Sequence, residues 1–413
     1  MSQQAALIQK PAPSVQSTTY KILYIIGICH LLNDSIQAVV PAMFPILEKS
    51  LGLSFTQLGF IAFSVNMISS VMQPAVGLLT DRKPMPYALP IGLAASMAGI
   101  LGLAFAPTFE MIIVSVLFIG IGSAIFHPEG SRVAYMAAGP RRGLAQSIYQ
   151  VGGNSGQALA PLITALVLVP FGQRGAAFFS LVAAAAVLLL IYIARWYTEK
   201  LSFEKRTASR QGRNAAGQRP LAKGVVPALL FILLLIFARS WYISGITSFY
   251  AFFAIKEYSF SIQHAQYLLF AFLVAGAAGT FFGGPLADRF GKKKVIALSM
   301  LAAAPFSAAI PFLPPAAALA CLVINGFILM TSFSVTVVYA QELVPGKIGL
   351  MSGLTVGLAF GMGAIGSIGL GYIADLAGLK EMITGVGFLP LLGLCALLLP
   401  SDKQLEEWNP DRI

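Results

Sequence analysis

The sequence predicts an all-α membrane protein, twelve transmembrane helices in two six-helix bundles. Three observations carry that expectation. The chain of 413 residues is 57% hydrophobic and 10% charged, against about 25% charged residues in soluble domains. Apolar stretches of about 20 residues, the length that crosses a bilayer, recur twelve times along it. Short sequences of the first half also return in the second. Residues 77–82 read GLLTDR and residues 284–289, placed 207 positions later, read GPLADR. Arg142-Gly143-Leu144 and Ile348-Gly349-Leu350 stand 206 positions apart. A repeat of this period implies two bundles related by an axis along the membrane normal, with a site between them.

Taken in order, residues 1–20 are polar and form a tail without the apolar core of a signal peptide. The first bundle is expected over 21–197, with spans near 22–47, 55–79, 87–106, 110–137, 143–170 and 175–197. Residues 198–224 form a linker rich in Lys and Arg, read as a solvated basic loop. The second bundle follows over 225–400, with spans near 225–255, 264–287, 294–313, 317–341, 348–374 and 381–400, and a tail covers 401–413. Lys and Arg fall in alternate loops. With the N-terminus inside, the inner loops carry Arg82, Lys83, Arg141, Arg142, the linker cluster, Arg289, Lys292, Lys293, Lys294 and Lys347. The outer loops then hold only Lys49, Arg174, Lys256 and Lys380. Both termini are therefore expected in the cytoplasm. The same distribution accounts for the net charge of +11 without nucleic acid as a partner. Cys29, Cys321 and Cys395 all lie in apolar segments, so no disulfide is expected, and no metal-ligand spacing stands out.

The ionisable groups inside the spans are the candidate machinery, because a charge at mid-bilayer costs roughly 2.5–3.5 kcal/mol on insertion scales. In span 1, His30, Asn33, Asp34 and Gln37 follow at i, i+3, i+4 and i+7, one polar stripe on an otherwise apolar helix. In span 4, His127, Glu129 and Arg132 surround Pro128 and Gly130, so this helix is expected to kink or to free backbone groups for binding. Glu129 and Arg132, at i and i+3, can pair. His30 and His127 each lie ~14–15 Å from the inner end of their spans, with Asp34 one turn deeper. Span 5 adds Gln146, Gln150, Asn154 and Gln157, and span 2 adds Asn66, Ser70 and Gln73. Hydrogen bonding between helices explains such amides equally well. Arg239, Trp241 and Tyr242 lie near the middle of span 7, at a position that the repeat relates roughly to His30. A cation facing a cavity from each half suits an anionic substrate. Gly361, Gly363 and Gly366 fit a dinucleotide-binding spacing, but no strand precedes them, so they read as a close-packing helix face. No phosphate-cradling loop and no catalytic constellation points to an enzyme or to ATP as the energy source.

The stretch Gly284-Pro-Leu-Ala-Asp288-Arg289-Phe-Gly291-Lys292-Lys293-Lys294 resembles the loop signature of the major facilitator superfamily. The first copy departs from it after Arg82, where Lys83-Pro84-Met85-Pro86 stands. The resemblance implies that Gly77, Asp81, Arg82, Gly284, Asp288 and Arg289 form conformational-switch loops of an alternating-access carrier. Ser147, Gly156, Ala160 and Pro161 of span 5 resemble, in degraded form, the glycine–proline motif of antiporters in that superfamily. More specific stretches are similar to the bacterial fosmidomycin-resistance pumps. They are His30-Leu-Leu-Asn33-Asp34 with Gln37, Phe126-His127-Pro128-Glu129 with Ser131-Arg132, Gly143 through Asn154, and Arg239-Ser-Trp241-Tyr242. That resemblance implies a monomeric efflux antiporter of the bacterial inner membrane, driven by protons and needing no other cofactor. Its cargo would be fosmidomycin or a related small phosphonate anion. On this reading Asp34, Glu129, His30 and His127 couple protons. Arg132, Arg239, Asn33, Gln37, Gln150, Asn154, Trp241 and Tyr242 bind the anionic drug. An uptake symporter for a small organic anion would use the same fold and residues. A membrane sensor that moves nothing would leave the dense polar stripes without a use.

Overall fold

The computed structural model describes residues 18–53, 55–210, 224–260 and 262–408. The first half runs through α1 (Tyr20–Ala42), α2 (Phe44–Leu51), α3 (Phe55–Arg82), α4 (Ala88–Phe105), α5 (Phe109–Ala137) and α6 (Arg142–Ala158). It continues with α7 (Ala160–Ile163), a π-helical segment Thr164–Leu168, α8 (Val169–Phe171) and α9 (Phe179–Arg210). The second half holds α10 (Val225–Tyr258), α11 (Ile262–Phe290), α12 (Lys292–Ala309), α13 (Pro315–Leu343), α14 (Ile348–Ala377) and α15 (Leu379–Gly387). A 3-10 run Leu389–Leu398 and the short α16 (Asp402–Trp408) end it. The described residues contain no strand.

Eleven helices among the described residues are long and apolar enough to cross a membrane. The difference from the twelve expected spans lies in span 5. There α6 is only 17 residues of glycine- and amide-rich sequence, Pro161 sits in α7, and the chain then adopts π pitch before α8. Wider π turns gather where a helix is distorted around a site. α9 continues as helix to Arg210, so the first part of the expected linker is helical, and 211–223 lie outside the described residues. The expected tails fall partly outside them too, at 1–17 and 409–413. Within the second tail, α16 buries Leu405, and Asp402 accepts hydrogen bonds from the backbone N–H groups of Lys292 and Lys293 at the start of α12.

Buried apolar side chains form two clusters, one drawn from residues 22–197 and the other from 225–405. Large apolar side chains such as Ile91, Leu181, Leu188, Leu298 and Ile368 point outward, as they do on a surface solvated by lipid rather than water. α5 continues as one helix through Pro128. Gly130 is needed beside it because a Cβ there would stand 2.7 Å from the Tyr149 hydroxyl. The two halves touch along α3 with α14 and along α6 with α11. Gly77 lies against the backbone of Gly349, and Gly284 against that of Gly143, so any side chain at these positions would strike main chain. The repeated sequences thus face each other crosswise.

Candidate transport site

His30 and Asp34 lie one turn apart on α1, and α5 brings His127 against them. Asp34 Oδ1 is 3.6 Å from His30 Nε2 and 3.5 Å from His127 Nε2. All three side chains are buried. The far ring nitrogens are committed, His30 Nδ1 to the carbonyl of Tyr149 at 2.7 Å and His127 Nδ1 to that of Ser123 at 2.9 Å. A carbonyl can only accept, and for His127 it is the shorter of two contacts, the Ser123 hydroxyl standing 3.2 Å from the same nitrogen, so each Nδ1 is assigned the hydrogen. In a neutral ring each Nε2 then presents a bare lone pair. Neither Nε2 has a hydrogen-bond partner. Tyr149 stacks on His30 with ring centroids 4.1 Å apart, and Phe360 of α14 meets His127 edge-on at 5.6 Å, which fixes both rings.

The carboxylate accepts from three amides: Asn33 Nδ2 at 2.9 Å, Gln37 Nε2 at 3.3 Å and Gln157 Nε2 at 3.0 Å. Two imidazole lone pairs aimed at a carboxylate oxygen repel it unless a cation stands between them. Two imidazole nitrogens and a carboxylate oxygen therefore converge on one point, an arrangement that a cation between them would stabilise. Gly153 of α6 makes room for it, since a Cβ there would lie 2.5 Å from His30 Nε2 and 2.9 Å from Asp34 Oδ2. Gln37 and Gln157 also line a cavity of about 240 Å³, together with Asn66 and Phe360. One layer of amides separates the cluster from that cavity.

Glu129 and Arg132 do not join this cluster. Arg132 donates from Nε to Glu129 Oε1 at 2.8 Å and from Nη2 to Asp81 Oδ1 at 2.5 Å and the Thr80 hydroxyl at 3.1 Å. Glu129 and Arg132 thus pair as their helix spacing allows, and Asp81 brings a second carboxylate to the same guanidinium. Asp81 also accepts from the backbone N–H groups of Gly349 and Leu350, which open α14, at 2.9 and 2.8 Å. Asp288 does the same to α6, accepting from Gly143 and Leu144, both at 3.0 Å. Each aspartate of the repeated loop thus caps a helix of the opposite half, where the helix dipole favours negative charge. Glu342 reinforces the contact, with Arg142 at 3.3 Å and Lys292 at 3.2 Å. Deeper in, Gln341 donates to the hydroxyls of Ser131 at 3.1 Å and Ser352 at 2.7 Å. The end that carries the basic loops is closed, with Arg82 and Arg289 exposed beside it.

In the second half, α10 buries Arg239 with Nη1 3.4 Å from the hydroxyls of both Ser332 and Thr336 and the guanidinium 4.8 Å above the Phe333 ring. Among the described residues it has no carboxylate partner, in contrast to Arg132. Trp241 rests on Gly366 of α14, with its indole nitrogen buried and unpartnered. Of the glycine run of α14, Gly361 lies against Ser70 and Gly366 against Trp241, while a Cβ on Gly363 would meet no atom within 4 Å, so the expected close-packing face is interrupted there. Tyr242 points into the second-half core, where its hydroxyl accepts from Asn325 Nδ2 at 3.0 Å, so it is a packing residue and not a cavity residue. Gln150 is buried with an unpartnered Nε2, and Asn154 donates to the Thr280 hydroxyl across the two halves at 3.0 Å. Phe360 carried no sequence signal, being one aromatic in a glycine-rich apolar helix. Gln157 did, as the last member of the span 5 amide stripe.

The sequence pattern of the Major Facilitator Superfamily matches residues 23–366. The chain belongs to the major facilitator superfamily. It is 43% identical over 406 residues to the fosmidomycin resistance protein of Escherichia coli strain K12, covering 98% of this chain and 99% of that one. It is 62% identical over 402 residues, 97% of each chain, to the MFS-type transporter YfnC of Bacillus subtilis strain 168. Among solved structures it superposes on the human organic anion transporter TETRAN with a TM-score of 0.74 at 18% identity, over 92% of this chain and 100% of that one. The proton:xylose symporter XylE gives 0.72 at 17% identity, over 95% and 98%. Both likenesses show the major facilitator fold. This member of the superfamily is thus a multi-pass membrane transporter for small molecules, not an enzyme.

Proposed function

We propose that this transporter exports a small anionic phosphonate, fosmidomycin or a close analogue, across the bacterial inner membrane in exchange for protons. The observation that carries the coupling is the cluster of His30, Asp34 and His127, buried, with two unpartnered ring nitrogens turned on one carboxylate oxygen and one amide layer from the cavity. The cargo rests on near full-length similarity to a relative named for resistance to that drug. With both termini cytoplasmic, as the basic loops imply, the closed end faces the cytoplasm and the cavity faces outward. A proton enters past Gln37 and Gln157 and binds the cluster. The neutralised site is then cheaper to enclose as the halves rock. When the other end opens, the anion enters and the proton leaves. Arg239, a buried cation without a carboxylate, is the group that meets the anion, since a guanidinium can hold two phosphonate oxygens at once. Export of an anion from a negative interior is also favoured by ~2.3 kcal/mol per charge per 100 mV. The protein works as a monomer in this scheme.

The test is fosmidomycin tolerance of a susceptible bacterium that lacks its own pump, with and without this protein. Tolerance is expected to rise, to collapse with a protonophore, and to return to the empty-vector level in Asp34→Asn. Unchanged tolerance with the protein present in the membrane would remove fosmidomycin as cargo. Full proton-driven export by Asp34→Asn would remove the cluster as carrier.

A further inference from the structure

The same three side chains place their free ligand atoms around one point. We propose that His30 Nε2, His127 Nε2 and Asp34 Oδ1 bind one divalent late first-row transition-metal ion, with zinc as the working probe. Four observations converge on it. The three ligand atoms lie within 4.8 Å of one another. The two nitrogen-to-oxygen separations, 3.6 and 3.5 Å, come close to the roughly 3.4 Å between ligands of a tetrahedral ion with bonds of about 2.0–2.1 Å. Both Nε2 atoms are buried and unpartnered. Both Nδ1 atoms donate to backbone carbonyls, which is how proteins fix a metal-binding imidazole in the right tautomer.

The donor set also selects the ion. Two imidazoles and a carboxylate suit zinc, cobalt, nickel or iron(II), whereas magnesium and calcium want oxygen and copper(I) wants sulfur. Zinc has no geometric preference of its own and accepts an irregular site. Gly153 leaves the space that the ion needs, because a Cβ there would press on His30 Nε2 and Asp34 Oδ2. Gln37 and Gln157, which touch Asp34 and line the cavity, mark the way in. Sequence spacing does not announce such a site, because His127 arrives from a different helix. The inference uses the side chains of the proposed coupling site but does not depend on cargo, on direction or on coupling itself.

The experiment is zinc titration calorimetry on the full-length, tag-free protein in detergent, with visible absorption of the cobalt-loaded protein as a second readout. The wild type is expected to take up one zinc per chain and to give the intense visible band of a low-coordinate nitrogen–oxygen cobalt site. Asp34→Asn and His127→Gln should each weaken binding about tenfold or more. His264→Gln, which changes an exposed histidine on α11, should bind as the wild type does. Absence of zinc uptake by the wild type, a cobalt spectrum like that of the hydrated ion, or binding retained in both cluster variants would each overturn the proposal. The cobalt spectrum needs no variant, so a misfolded mutant cannot leave the question open. Drug export without zinc binding would remove this inference alone. Zinc binding without export would leave it standing.

Discussion

Arg132 and Arg239 are both buried guanidiniums, yet among the described residues one is held by two carboxylates and the other by none. Their physical consequences are opposite. Removing a partner from a satisfied buried pair leaves an uncompensated charge. Glu129→Gln keeps one acceptor for Arg132 Nε, so we expect a loss of about 1–3 kcal/mol, read as a lower melting temperature of the purified protein. Arg239 already stands without a carboxylate, so replacing it by an apolar side chain relieves a desolvated charge. Arg239→Met is expected to raise the melting temperature while lowering fosmidomycin export at least tenfold. A fall in stability would mean that Arg239 is a structural cation with a partner of its own. At this scale the sequence was legible where energy made it so: a charge inside a span is costly, and His30, Asp34, His127, Glu129, Arg132 and Arg239 all stand out for that reason. What could not be read was who meets whom. Glu129 with Arg132 follows from helix spacing, but Asp81 joins them, and His127 joins Asp34, only through the rotational setting of separate helices.

The element that sets the cluster is α6. It seats on α1 through glycines: a Cβ on Gly152 would strike the backbone of Gly27, and one on Gly156 the carbonyl of Leu31. This close approach places the Tyr149 ring over His30 and Gln157 against Asp34. Gly152→Val is expected to push the helices apart, at about 1–3 kcal/mol for overpacking, and to abolish export even though no ionisable group changes. The two readouts are the melting temperature and drug tolerance. Stable, active Gly152→Val would show that the cluster does not need the α1–α6 contact. Small residues in span 5 were visible in the sequence, but their use was not. The antiporter-like reading drew attention to Ser147, Gly156, Ala160 and Pro161; Gly156 does seat α6 on α1, but together with Gly152, which that motif does not contain. The π-helical turn after Ile163 left no trace in hydropathy. With the interruption at Leu159, it divides the expected fifth span into four pieces, α6, α7, the π segment and α8.

Across the whole molecule, the internal repeat becomes a crossed latch. The repeat was legible from offsets of 207 and 206, and so was its pseudo-two-fold geometry, because equal sequences in the two halves must face equivalent neighbours. Its asymmetry was not. Asp81 caps α14 and also grips Arg132, while Asp288 caps α6 and leaves the ionic contact between halves to Arg142, Glu342 and Lys292. A carboxylate at a helix N-terminus contributes about 0.3–1 kcal/mol when exposed and up to ~2 kcal/mol when partly buried. A buried ion pair adds to that for Asp81 alone. Both Asp81→Asn and Asp288→Asn should therefore open the closed end, and Asp81→Asn should do so more. The population reads this directly, since each 1.4 kcal/mol or so is tenfold in the closed-to-open ratio. A cysteine placed at Gln341, behind the latch and buried, in a background without Cys29, Cys321 and Cys395, reports it through its rate of labelling by a maleimide offered from the basic-loop side. We expect labelling to accelerate several-fold in Asp288→Asn and by at least tenfold in Asp81→Asn. Equal acceleration in the two would place the latch energy in the helix caps alone and take Arg132 out of it. No acceleration in either would mean that the glycine contacts, Gly77 on Gly349 and Gly284 on Gly143, hold the end shut without the aspartates.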